Sequence, residues 1–253
     1  MFLKTIRRIA CVTSLATLAA PLVFSQEGST SKPPPTRGVA VLISGIFVTP
    51  VPGVPLSAVV ELQSTQVLID GSTNVRKSFA NIARDSQGRI YNERRQLVSP
   101  SFTGTPQIVA FHIFDPNTRL NTFLDPSTHL ARQSTWHPPE STGEQGAGSP
   151  VSSRDPLVQE RDLGTEIMDG LSVHGTLKTR TVPAAVSGTG RAVVVTDEIW
   201  YSDELHLNML EKRDDPRTGK QTVTVTRVDR SEPNQAMFEV PAGYKVVDEN
   251  PEN

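Results

Sequence analysis

The chain has 253 residues, with 25 Lys and Arg set against 27 Asp and Glu for a net charge of −2. That balance argues against nucleic acid as a partner, because phosphate binding needs a basic surface. With 20 Pro, 17 Gly and few aromatics, the composition points to one soluble, turn-rich domain of roughly 100–200 residues with loose ends.

Residues 1–25 read as a signal peptide. Lys4, Arg7 and Arg8 form a basic start, Ile9 to Phe24 is mainly apolar, and Val23-Phe24-Ser25 offers a cleavage site before Gln26. Thr13, Ser14 and Thr17 interrupt the apolar stretch, which falls short of the ~20 apolar residues needed to cross a bilayer. The expectation is export to the periplasm or the exterior, with no transmembrane segment after cleavage. Cys11, the only cysteine, lies near the start of the apolar stretch, whereas a lipoprotein cysteine belongs at its end. The mature chain then has no disulfide, thiolate metal site or cysteine nucleophile. Loss of Lys4, Arg7 and Arg8 moves the net charge to about −5.

Residues 26–55 are expected to be a Pro-rich spacer and edge segment. Lys32-Pro33-Pro34-Pro35 cannot bury apolar area, and Pro50, Pro52 and Pro55 interrupt the apolar run from Val39 to Phe47. A single β domain is expected over 56–247. Ala58 to Ile69 and Thr73 to Arg84 flank Asp70-Gly71, a hairpin signal, and Asp85-Ser86-Gln87-Gly88 leads to Arg89–Val98. Gln107–Phe114, Arg119–Leu124 and His129–Trp136 follow, separated by Asp115-Pro116-Asn117 and Asp125-Pro126-Ser127.

Residues 137–154, rich in Pro and Gly, read as a flexible insertion. Leu157–Met168, Leu171–Val182, Ala192–Tyr201, Leu205–Lys212 and Gln221–Val228 complete about eleven strands. Residues 248–253 are taken as a disordered tail. No segment carries ten residues of helical periodicity. The fold class is therefore mainly β: a strongly curved antiparallel sheet, open or half barrel, with few or no long helices, since a flat sheet of this size would expose its edges.

The run Asp197-Glu198-Ile199-Trp200-Tyr201-Ser202-Asp203-Glu204-Leu205, then Val223 to Arg227, Glu232-Pro233, and the closing Phe238-x-x-Pro241-x-Gly243-Tyr244 resemble exported bacterial proteins of the outer-membrane lipoprotein-carrier-like, open β-barrel superfamily. The resemblance covers the C-terminal part only. It implies a curved antiparallel sheet whose concave face holds an acyl chain or a peptide, with Trp200 and Tyr201 as the candidate ligand-binding residues. Carriers of that family cover the cavity with helices, and this sequence offers none of adequate length. Read from the strand alone, Trp200 and Tyr201 are neighbours pointing to opposite faces, one of them core and the other exposed or at a cavity rim.

No catalytic or metal-binding constellation emerges, and no cofactor is expected. His112, His129, His137, His174 and His206 include no pair at metal-ligand spacing. No Gly-x-Ser-x-Gly turn exists. Asp197, Glu198, Asp203 and Glu204 cluster in sequence, but acids beside a turn are far more often solvated than catalytic. The reading is an exported, non-catalytic protein that binds a lipid, a lipidated protein or a peptide on the concave face. The alternatives are an envelope structural or interaction module with a filled sheet, and an exported hydrolase.

Overall fold

A computed structural model describes residues 48–68, 70–137 and 157–250. The expected signal peptide, the spacer up to residue 47 and all of the 137–154 insertion beyond His137 lie outside the described residues. Twelve strands form one sheet: β1 (Leu56–Val67), β2 (Thr73–Arg84), β3 (Ile90–Arg95), β4 (Ile108–Asp115), β5 (Leu120–Asp125), β6 (Leu130–Thr135), β7 (Val158–Met168), β8 (Leu171–Val182), β9 (Val193–Ser202), β10 (Leu207–Asp215), β11 (Gly219–Asp229) and β12 (Lys245–Asp248). The helical elements among the described residues are one turn, α1 (Ala184–Ser187), and a 3-10 turn, Gln235–Phe238. No helix among the described residues is long and apolar enough to cross a membrane.

The sheet order is β12-β6-β5-β4-β3-β2-β1-β11-β10-β9-β8-β7. Neighbours are antiparallel, as the hairpin reading requires, with one exception: β12 lies parallel to β6. That pairing ties down part of the expected tail. Glu249 N donates to Gln133 O at 2.8 Å, and Thr135 N donates to Asn250 Oδ1 at 2.7 Å.

Turn chemistry sets the register. Between β7 and β8, Asp169 (φ 49°) and Gly170 (φ 77°) both adopt positive φ, the two-residue turn whose twist suits adjoining strands. The Asp115, Asp125 and Asp215 carboxylates each accept the backbone N–H two residues on, at 2.8, 2.8 and 3.0 Å, and so close the turns after β4, β5 and β10.

The sheet curls. In a flat sheet β2 and β10 would stand three strand spacings, about 14 Å, apart. Yet Arg84, at the end of β2, donates from Nη2 to Leu205 O, in the β9–β10 turn, at 2.7 Å. Likewise Val228 N on β11 donates to Asp169 Oδ2 in the β7–β8 turn at 2.8 Å, again across three strands. The strands therefore bend toward the side that carries Arg84.

On that side a core of Leu56, Ala58, Val60, Ile82, Ile90, Leu205, Met209 and Val223 is buried. The segment before β1, expected as spacer and edge, joins it: Val48 is fully buried. It is not paired as a strand. Arg84, also fully buried, clamps it by donating from Nη1 to Thr49 O at 2.7 Å and from Nε to Val54 O at 2.8 Å. On the reverse side of β2–β6, Ala83, Tyr91, Ile113, Leu124 and Ala131 form a second core under Phe238 of the 3-10 turn. The resembling C-terminal motif thus has a packing role: Phe238 is core, with Val240 and Tyr244 packed beside it.

Candidate functional site

Trp200 is 5% exposed and belongs to the main core. It faces Gly175 across the β8–β9 pairing. A Cβ at position 175 would come 2.7 Å from the indole, so only glycine leaves room for the ring to lie on the neighbouring strand. Its Nε1 donates to Glu198 Oε1 at 2.8 Å, and Lys212 Nζ donates to the same oxygen at 2.9 Å. The Lys212 bond, then the indole bond, hold the Glu198 carboxyl below its ordinary pKa. Tyr201 is half-buried, with its hydroxyl 3.4 Å from His206 Nδ1.

The acidic run is distributed among ion pairs. Asp197 meets Arg213 at 3.0 Å, Glu198 meets Lys212 at 2.9 Å, and Glu204 pairs with Arg230. The histidines are similarly scattered. His174 sits 3.4 Å from Asp162, His129 lies beside Tyr244 and His206 beside Tyr201. Among the described residues, no group of three or more His, Cys, Asp or Glu side chains is placed to hold a metal ion.

The register brings a different set together. Directly opposed residues share a face, so the pairs Ile82–Asn92, Asn92–His112, His112–Phe123 and Phe123–Arg132 draw one row across β2 to β6. Ile82 and Arg84 lie two residues apart on β2, so the row is on the side toward which the sheet bends. Phe123 is 50% exposed, and its ring stacks on His112 with centroids 4.5 Å apart and planes at 13°. His112 Nε2 lies 3.1 Å from Asn121 Oδ1. Burial pushes the His112 pKa down from its ordinary value, partly offset by the Asn121 bond and reinforced by nearby Arg94. Arg132 closes the row, 3.6 Å from Glu249.

The result is an aromatic shelf with a neutral imidazole beneath it and cationic groups on either side. Flat or aliphatic groups can rest on Phe123 while Arg94 attracts negative charge, Arg132 being already paired with Glu249. Sequence reading placed His112 in a strand but missed the row. The signal was there only in part, since Phe123 alternates with Thr122 and Leu124, but the partnership with His112 depends on a register fixed by the Asp115 turn.

No family model matches the chain, and no curated protein matches it in sequence. Several solved structures are similar. An uncharacterised conserved protein from Thermus thermophilus has 12% identity and a TM-score of 0.42, covering 78% of this chain and 91% of that one. The MucA/MucB complex from Pseudomonas aeruginosa gives 11% identity and a TM-score of 0.40, covering 76% of this chain and 58% of that one. A LolA superfamily protein from Nitrosomonas europaea gives 9% identity and a TM-score of 0.31, covering 75% and 91%. The expected superfamily is thus among the neighbours, and these likenesses extend well beyond the C-terminal part. With every one of these TM-scores below 0.5, the ground for a functional assignment is the geometry of the chain itself.

Proposed function

We propose that the protein is an exported, non-catalytic binding protein of the bacterial cell envelope that holds a lipid, a lipidated protein or a peptide on the concave side of its open sheet. The observation that carries this reading is the half-exposed Phe123, stacked on His112 on the side toward which the sheet bends. A large apolar ring left in solvent beside polar neighbours is a natural contact for an apolar partner. The main core takes up the concave side around Arg84, so the partner rests on the β3–β6 wing rather than on Trp200.

The test is binding of a fluorescent palmitoylated peptide to the mature chain, followed by anisotropy. Phe123→Ala is expected to weaken binding about tenfold, the value of one well-buried apolar contact. Unchanged affinity in that variant, or no binding by the parent chain, would overturn the proposal and favour a sheet filled by its own side chains.

A further inference from the structure

A second concavity lies on the opposite side of the sheet, away from Phe123. The loop between β3 and β4 folds back over β1, β2 and β11 and leaves a groove of about 400 Å³, within the range of small-molecule sites. Its floor is set by cross-strand pairs: Glu61 opposite Phe79 and Thr224, and Gln63 opposite Lys77 and Thr222. These residues alternate with Val60 and Leu62, which point to the main core side.

The roof is held in place. Val98 and Lys77 exchange two backbone hydrogen bonds of 2.8 Å. Arg95 Nη1 donates to Pro106 O at 3.0 Å, and the same guanidinium stands 5.1 Å over the Phe79 ring. Phe102, 42% exposed, folds onto Gly104, where a Cβ would come 2.9 Å from the ring. Phe79, Phe102, Val98 and Pro106 therefore give the groove an apolar side over a largely polar floor, and this side exists before any ligand arrives.

Its charge is one-sided. Glu61 is balanced by Arg227 at 3.7 Å, while the Lys77 ammonium has no carboxylate partner among the described residues. A groove with one apolar side and one uncompensated cation complements a molecule with an apolar body and one negative end. We infer that this groove binds an amphiphilic monocarboxylate, with its carboxylate at Lys77 and its apolar body between Phe79 and Phe102. The site is separate from the concave face and does not depend on it.

The experiment titrates the mature chain with cis-parinaric acid and, in parallel, with its methyl ester, reading probe fluorescence. The acid is expected to bind about fivefold more tightly than the ester, the most an exposed charge pair contributes. Lys77→Gln should remove that preference and Lys77→Arg should keep it. Phe102→Ala should weaken acid and ester alike, by about tenfold. Equal affinity for acid and ester, a preference that survives Lys77→Gln, or affinity unaffected by Phe102→Ala would each overturn the assignment. Because the acid-over-ester preference reports on Lys77 and the palmitoylated peptide on Phe123, one site can fail while the other stands.

Discussion

Replacing Arg84 with Met should be among the most damaging single changes in the chain. The guanidinium is fully buried and donates to Val54 O, Thr49 O and Leu205 O at 2.8, 2.7 and 2.7 Å. Burial pushes its pKa below the ordinary arginine value, and the group still carries its proton at any physiological pH. Hydrogen bonds to a charged group contribute about 1.5–3 kcal/mol each. Against their sum stands the cost of keeping the cation out of water, several kcal/mol, which Met does not incur. Met also leaves three inward-facing carbonyls without their donor. The expected net loss is about 3–5 kcal/mol, a large part of the 5–15 kcal/mol typical of a domain. Urea unfolding should show a lower midpoint at unchanged slope. Arg84→Lys should recover only part of the loss, because one ammonium cannot span carbonyls from two separate segments. Hydrogen exchange at Gly53, whose N–H donates to Ser86 O at 2.9 Å, should accelerate as the clamped segment loosens. A loss below about 1 kcal/mol in Arg84→Met would refute the clamp, since that is no more than one ordinary hydrogen bond.

Three further outcomes follow from the same geometry. Gly175→Ala should cost about 1–3 kcal/mol, because the new methyl meets the Trp200 ring at 2.7 Å, and should alter the near-ultraviolet circular dichroism of the indole. Ser78→Ala should be neutral or stabilising by up to about 1 kcal/mol in the same urea assay, since the buried Ser78 hydroxyl has no hydrogen-bond partner to lose. His112, with its folded pKa pushed below 6.5 by burial, takes up a proton in the unfolded chain first. Its contribution is therefore complete above that value and declines as pH falls below it, and His112→Gln should flatten the stability profile on the acid side of 6.5.

Local chemistry was legible in the sequence and long-range register was not. Thr73–Arg84 and Leu171–Val182 are strands with the bounds that their alternation and flanking turns imply. Asp169-Gly170 marks a hairpin because few other residue pairs tolerate positive φ at both positions, and Gly71 supplies a positive φ in the turn between β1 and β2. β12 went unread: Lys-Val-Val-Asp is four residues long, and its parallel partner β6 lies more than a hundred positions away. Arg84 looked like the polar end of a strand because the carbonyls that bury it come from an irregular segment and a distant turn. Trp200 drew attention as an aromatic in a resembling motif. What sends it into the core is Gly175 opposite it, a pairing that only the β8–β9 register reveals.

The two ends of the sheet explain why it stays open. Closure into a barrel would require β7 to pair with β12. β12 pairs with β6 over only four residues and runs parallel to it, offering little edge to a further strand. β7 is eleven residues long, but Glu160, Arg161, Asp162 and Glu166 are exposed along it, and its register shifts between Asp162 and Gly164. Charges and a bulge on an outer strand disfavour continuation of the ladder. The same devices that discourage edge-to-edge association thus keep the sheet from sealing itself. The wall carrying His112 and Phe123 remains within reach of a partner, and an amphiphile can meet it without the protein first having to unfold a strand.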